Sequence, residues 1–321
     1  MKKWFNWKSL LIVLASLIIL IASYTIYLYF EIRTTFEVIH EPLEITTKTS
    51  SESPNSDSSK NNDSNTSHPN TSEDENSDSP KPITVLLLGL DTWETSGRAD
   101  TILVLTLNPE DESMKILSIP RDTYTEIVGF DFEDKINHSY AFGGIETSIA
   151  SVENLLQIPI DYYVTLNMLG FIEMVDIVGG VEVENDIAFS KESFYFPEGH
   201  LTLTGDEALS YVRMRYDDPR GDWGRQMRQR QVLESIFKKA ASFNLVWQAP
   251  SFLKSIREHV QTNLTFDEMI EFQSSYKSTL NNIDHFNFSQ GDGKITNGIW
   301  YYFLNEIELQ EMRKMLQESL L

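Results

Sequence analysis

The sequence predicts a single three-layer α/β/α domain behind an N-terminal transmembrane helix and a disordered linker. Three observations carry that expectation. Strand-type apolar runs at 83–90, 101–107 and 114–119 are followed by stretches of helical periodicity. The 22 residues 9–30 carry no charge. Between these two regions, residues 41–82 are an island of Ser, Asn, Asp, Glu, Thr and Pro, too poor in apolar side chains to order itself.

Taken in order, Lys2, Lys3 and Lys8 with Trp4 and Trp7 precede the uncharged run, and Tyr24, Tyr27 and Tyr29 close it. As a helix the run spans about 33 Å, enough for a hydrocarbon core. Its aromatics stand where interfacial anchors do, and the leading lysines put the N-terminus in the cytoplasm. The run is long for a cleavable signal peptide and no small-x-small motif follows Tyr29, so residues 1–31 are expected to be an uncleaved anchor. Residues 32–82 are then an extracellular tether, its low-complexity part spanning roughly 35 Å r.m.s..

The continuous apolar run 83–90 suits a strand in a sheet covered on both faces, with further strands at 101–107 and 114–119. Ile145, Ile149, Val152, Leu155 and Leu156 share one face of a helix over 145–156. A strand follows at 161–166, then a helix at 169–178 closed by Gly179-Gly180, then a short strand at 181–183. Thr204 with Glu207 three residues on forms a capping box that opens another helix. Helices are expected at 226–243, 250–260 and 266–276, and residues 295–321 begin as a strand and end as an amphipathic helix. The main domain is placed at 83–245, with 246–321 as a C-terminal helical segment packed on it.

No cysteine occurs among the 321 residues, so the core must stand without disulfides. A net charge of −22 excludes non-specific nucleic-acid binding, which needs a basic footprint. Against that acidic background, six of the eleven arginines fall between Arg213 and Arg230. Guanidinium groups are permanently charged forks that match phosphate oxygens, so the cluster points to a multiply charged anion. The competing reading is a set of ion pairs with Asp217, Asp218 and Asp222. Nucleophile elbows, zinc motifs and phosphate-binding Gly loops are absent. Six histidines are scattered, and His138 is read as a structural hydrogen-bonding residue.

Carboxylates and cations therefore remain. Asp91 follows the first strand and Asp100 precedes the second; if the strands are neighbours, the pair sits at one sheet edge, able to share a divalent cation such as Mg²⁺ with phosphate oxygens. Pro120 ends the third strand and leaves Arg121 at the same edge. Arg213 and Arg215 alternate with Val212 and Met214, which in an extended segment puts both cations on one face. Arg225, Arg228, Gln229 and Val232 are spaced for one side of a helix whose first turn holds Asp222. Four or five charge-assisted bonds, each worth about 1.5–3 kcal/mol, would hold a pyrophosphate firmly.

The segments 86–91, 97–101, 118–124, 134–144, 152–156 with 158–163, 175–181 and the arginine block together resemble the LytR-CpsA-Psr (LCP) family of cell-wall glycopolymer phosphotransferases. The likeness runs in order from about residue 83 to 239 and is looser after 243. It implies a central mixed sheet and a site on the outer face of a Gram-positive-type membrane. There a glycopolymer such as a teichoic acid would pass from a polyprenyl-pyrophosphate carrier to a peptidoglycan hydroxyl. By the family motifs Asp91 and Asp100 would hold Mg²⁺, and Arg98, Arg121, Arg213, Arg215 and Arg225 would clamp the pyrophosphate, with Gln229 orienting it and Lys135 assisting. Asp91 or Asp222 would accept the hydroxyl proton. Phe171, Ile172, Val175, Val178, Val232, Leu233, Ile236 and Phe237 would line a slot for the lipid tail. Trp93 stands where many members carry Arg, so either the site has one cation fewer or another, such as Arg98, covers that place. Arg220, Arg228 and Arg230 are left as surface ion pairs. A hydrolase using water as acceptor and a non-catalytic envelope regulator are the alternatives.

Overall fold

The computed structural model describes residues 7–43, 80–94, 96–242 and 257–321, leaving out the side chains of 7–21, 241, 242 and 273. The first helix, α1 (Trp7–Ile39), does not stop at residue 31. Its far end docks on the domain, with Phe36 and Ile39 buried against Val260, Phe266 and Met269. Arg257 reinforces the junction through Glu31 at 3.1 Å and Thr35 at 2.8 Å. Residues 32–43, expected as tether, are thus tied down; the rest of that tether through residue 79 lies outside the described residues. Among the described residues no helix is long and apolar enough to cross a membrane. The uncharged run at 9–30 is helical within α1, but its side chains through residue 21 lie outside them.

The domain opens with β1 (Ile83–Leu90), β2 (Ala99–Asn108) and β3 (Ser113–Ser118), then a ribbon of β4 (Tyr124–Glu126) and β5 (Glu133–Lys135). Next come α2 (His138–Leu156), β6 (Tyr162–Leu166), α3 (Met168–Ile177), β7 (Val181–Asn185), β8 (Phe189–Lys191), β9 (Phe194–Phe196) and β10 (Gly199–Leu203). The helices α4 (Gly205–Arg213) and α5 (Asp222–Ser242) follow, then β11 (Val260–Thr262) and α6 (Phe266–Ser275). The chain ends with β12 (Asn282–Asn287), the hairpin β13 (Asp292–Thr296) and β14 (Ile299–Phe303), and α7 (Glu306–Ser319).

The central sheet has the order β11-β6-β1-β2-β3-β12 and is mixed: β1 runs parallel to β6 and β3 parallel to β12, while the other neighbours are antiparallel. Alternation along β1 divides the layers. Leu86, Leu88 and Leu90 join Ile149, Val152, Leu309 and Leu316 beneath α2 and α7. Burying each such side chain stabilises by about 1.5–3 kcal/mol. Val85 and Leu87 face the other way, toward Leu233 and Phe237 of α5.

Some elements differ from expectation. The helix expected from 145 begins at His138, with a kink at Gly143 and Gly144, where the backbone leaves helical geometry and Gly144 takes a positive φ of 65°. Val260 opens a strand rather than ending a helix; residues 257–259 are helical and 250–256 lie outside the described residues. The C-terminal segment is no appended helical layer, because β11 and β12 supply both edges of the central sheet. Local signals hold elsewhere. The Thr204 amide donates to Glu207 at 2.8 Å, and Gly179 and Gly180 end α3 at φ 79° and 83°.

Candidate active site

The sheet brings the strand-end residues together. β1 and β2 are antiparallel, so Asp91 just beyond one and Asp100 at the start of the other share an edge, where the Asp91 amide donates to the Arg98 carbonyl at 3.0 Å. β3 is antiparallel to β2, which returns Arg121 to that edge. Asp100 is buried and bonded at both oxygens: Asn137 donates to one at 2.9 Å and Arg121 to the other. Burial works against the Arg121 charge, but Asp100, Asp122 and Asp222 outweigh it and raise its pKa.

Arg213 and Arg215 reach the same place by a route other than the one expected. Arg213 ends α4, and the chain turns extended only at Met214 (φ −67°, ψ 131°). Val212 and Met214 are buried, so both guanidinium groups still point away from the core. Arg213 stands 3.7 Å from Asp91 and 3.6 Å from Glu192. Arg215 lies 3.8 Å from Asp222, and Arg225 pairs with the same carboxylate at 2.8 Å. Arg225 is 6% exposed, and burial lowers its pKa despite Asp222. The buried Nε atoms of Arg121 and Arg225 have no hydrogen-bond acceptor. Buried donors are normally satisfied, so these suit an incoming anion. Gln229 is held by Thr101, donating to its hydroxyl at 2.9 Å.

Other candidates fall outside this cluster. Arg98 is exposed on its loop and does not line the cavity described below; Trp93, on the same loop, is 56% exposed. Lys135 is engaged by Asp122 at 2.9 Å. Arg220, Arg228 and Arg230 are structural, but they are not the surface pairs expected. Arg228 and Arg230 are buried, as is Asp218, which receives Arg228 at 2.7 Å and Arg220 at 2.9 Å. Burial opposes ionisation of Asp218, yet those two donors hold its carboxyl down at about 2. A side chain at Gly224 would collide with that carboxylate, so glycine is required there. Arg230 donates to Ser118 Oγ at 2.8 Å, and burial pulls it down to about 10. His138 is structural, 2.8 Å from Asp134.

A cavity of about 1,070 Å³ runs from this cluster into the space between the sheet and α5, α3 and α6. Its polar mouth carries Asp91, Asp100, Arg121, Arg213, Arg215, Arg225 and Gln229; its depth is apolar. Of the residues expected there, Phe171, Leu233, Ile236 and Phe237 line it. Val175, Val178 and Val232 instead fill a separate core with β7 and α4, and Ile172 packs its backbone against Gly205. Among the described residues no cluster of three or more His, Asp or Glu is placed to hold a metal. Asp91 and Asp100 therefore suit only a cation whose shell is completed by substrate oxygens.

The sequence model of the LytR_cpsA_psr family matches residues 44–318. The chain belongs to the LytR-CpsA-Psr family. A relative from Bacillus cereus, named polyisoprenyl-teichoic acid–peptidoglycan teichoic acid transferase TagU, is 50% identical over 242 residues, 75% of this chain and 79% of its own length. The like-named protein of Halalkalibacterium halodurans is 42% identical over 312 residues, 96% of each. The crystal structure of B. subtilis TagU matches at TM-score 0.62 and 43% identity, covering 75% of this chain and 98% of that one. The LytR-CpsA-Psr match extends well past residue 243, in keeping with the sheet edges supplied by β11 and β12.

Several residues at this site carry no signal in the sequence. Asn137, which orients Asp100, sits in the same polar motif as His138, and a buried amide there carries no pattern of its own. The cavity walls from Val85, Leu87, Leu103 and Leu105 were hidden because a strand apolar on both faces does not say which face is lined. Met269, Ile270 and Phe272 of α6 also line the cavity.

Proposed function

We propose that this protein is a membrane-anchored phosphotransferase that moves a teichoic acid-like glycopolymer from a polyprenyl-pyrophosphate carrier to a peptidoglycan hydroxyl, forming a phosphodiester. One observation carries the reading: four arginines converge at the mouth of a large cavity whose depth is apolar, the shape of an anionic head on a hydrocarbon tail. The names of the TagU relatives support the same donor and acceptor.

Phosphoryl transfer needs positioning and charge neutralisation more than a protein nucleophile. Arg121, Arg213, Arg215 and Arg225 would bind the pyrophosphate, with Gln229 orienting it. Asp91 and Asp100 would hold Mg²⁺ against its oxygens. Bound there, Mg²⁺ would neutralise charge developing on the leaving phosphate. Asp222 or Asp91 would take the hydroxyl proton. Residues 9–30 would anchor the chain by one pass, with the N-terminus in the cytoplasm and the domain on the outer face of a Gram-positive-type membrane. Anchoring keeps the site beside a substrate that stays in the bilayer.

The test is the full-length chain in lipid nanodiscs with a polyprenyl-pyrophosphate disaccharide, Mg²⁺ and uncross-linked peptidoglycan strands. Covalent glycan product is expected, stopped by EDTA and restored by added Mg²⁺. Arg121→Ala should lower the rate about 10²–10³-fold, as loss of a preorganised donor does. Free sugar phosphate as the sole product would establish hydrolysis instead, and full activity of Arg121→Ala would remove the clamp.

A further inference from the structure

A second cavity of about 280 Å³ adjoins the arginine cluster, and Arg215 lines both. It falls just under the ~300–1,000 Å³ range of sites for drug-sized ligands, which suits a single ring. Asp222 lines this smaller cavity and not the larger one, so the Arg215–Asp222–Arg225 group forms a wall between them.

The lining is unlike that of the anion site. Trp300 and Tyr302 stack at 6.4 Å between centroids, and Trp300 and Trp223 are 39% and 40% exposed. Trp300 lies across Gly293 so closely that a Cβ there would meet its ring at 2.7 Å, yet with Tyr302 alongside it the residue stays 39% exposed. Packing on Gly293 and Tyr302 accounts for the covered part of the indole and not for the exposed part. Gln226 is 5% exposed; its amide nitrogen donates to Asp222 at 3.0 Å, while its buried Oε1 has no partner. Arg220, also at this cavity, is already held by Asp186 and Asp218. Gln226 Oε1 is therefore an unpartnered acceptor at this cavity, which matches a hydroxyl or N-acetyl N–H donor.

We infer that the smaller cavity is the saccharide site of the acceptor, in which Trp300 and Trp223 pack the apolar face of an amino-sugar ring and Gln226 accepts one of its hydrogen bonds; this rests on the transfer reading above. An in-line displacement needs the attacking hydroxyl across the reacting phosphorus from the leaving group. With the lipid tail in the larger cavity, the hydroxyl arrives over the wall, at Asp222. Its oxygen bonds to the phosphorus bearing the glycan, and the bond from that phosphorus to the bridging oxygen breaks. Polyprenyl monophosphate leaves with that oxygen, and the hydroxyl proton passes to Asp222. The arrangement selects Asp222 over Asp91 as the base.

The experiment uses full-length protein in nanodiscs with the polyprenyl-pyrophosphate disaccharide as donor and peptidoglycan glycan strands as acceptor. Trp300→Ala and Gln226→Leu should each raise the acceptor KM about tenfold, the donor KM holding constant. Trp223→Ala, at an exposed position, replaces Trp300→Ala should uncovering Gly293 unfold the hairpin. Equilibrium titration of the same strands against tryptophan fluorescence reads binding without turnover. Strands that bind in a Trp300-dependent way but are never joined would sink the transfer reading alone. Joined product with acceptor KM unmoved by all three variants would sink the saccharide site alone. A rise in donor KM instead would mean the cavity holds the donor's sugar, which also overturns the assignment.

Discussion

Asp218 organises Arg220 and Arg228, two arginines of the block that do not line the larger cavity. Its carboxylate is wholly buried between Arg220 and Arg228 and sits against the backbone of Gly224. Nothing in the spacing of six arginines tells a clamp from a scaffold. The division comes from which carboxylate each one finds in space. Burial favours the neutral acid, the two arginines prevail, and the pKa falls from 3.8 to about 2. A depressed folded pKa stabilises fully above the unfolded value and is lost as pH falls through the folded one. Asp218 should therefore contribute about 2 kcal/mol at neutral pH, lost between about pH 4 and pH 2. Asp218→Asn should destabilise by roughly 3 kcal/mol, because it strands buried guanidinium groups. Urea unfolding at pH 7 and over the acid range would measure both; equal stability of variant and parent at pH 7 would show that the network is not structural.

At the scale of elements, α5 is buried on two sides. Arg225, Gln229, Leu233, Ile236, Phe237 and Ala240 line the large cavity, while Arg228 and Val232 turn into the core around β7 and α4. A helix buried on both sides shows no single apolar stripe, so periodicity grouped Arg225 with Arg228 and Val232 and mixed the two faces. The positions of the true cavity face were readable only once α5 lay on the sheet. Leu233→Trp should fill the apolar depth behind the arginines. The KM for a long-chain polyprenyl-pyrophosphate donor is expected to rise about tenfold, while a short-chain donor is spared. Steady-state kinetics with the two chain lengths check it, and equal effects on both would place the tail elsewhere.

The whole molecule is governed by how α1 meets the domain. Phe36 stacks near Phe266 at 5.7 Å, Glu41 bonds Thr262 through the backbone at 2.9 Å, and Tyr163 donates to the Glu41 carbonyl at 2.9 Å. Phe266 and Met269 belong to α6, a helix that also lines the large cavity. Should residues 9–30 span a membrane as proposed, this docking would hold the α6 side of the cavity at a set distance from the bilayer. Phe36→Ala should weaken the junction by about 3 kcal/mol. Hydrogen exchange of residues 31–40 should then accelerate while β1–β3 stay protected. Unchanged exchange would mean that this contact does not hold the helix.

By itself the sequence determined the strands, the caps and the chemistry of the edge. Continuous apolar runs, Thr204 with Glu207, the paired glycines after α3, and Asp91, Asp100 and Arg121 at strand ends are local or nearest-neighbour facts. They survive folding because backbone periodicity and strand direction set where such residues emerge. Which arginines act as the clamp, which apolar face lines the cavity, that β11 and β12 complete the sheet, and that Trp300 comes to stand beside Asp222 were decided only by the tertiary structure. These depend on pairings between residues far apart along the chain. A guanidinium or an indole has no role until the partner that buries it, or leaves it open, is in place.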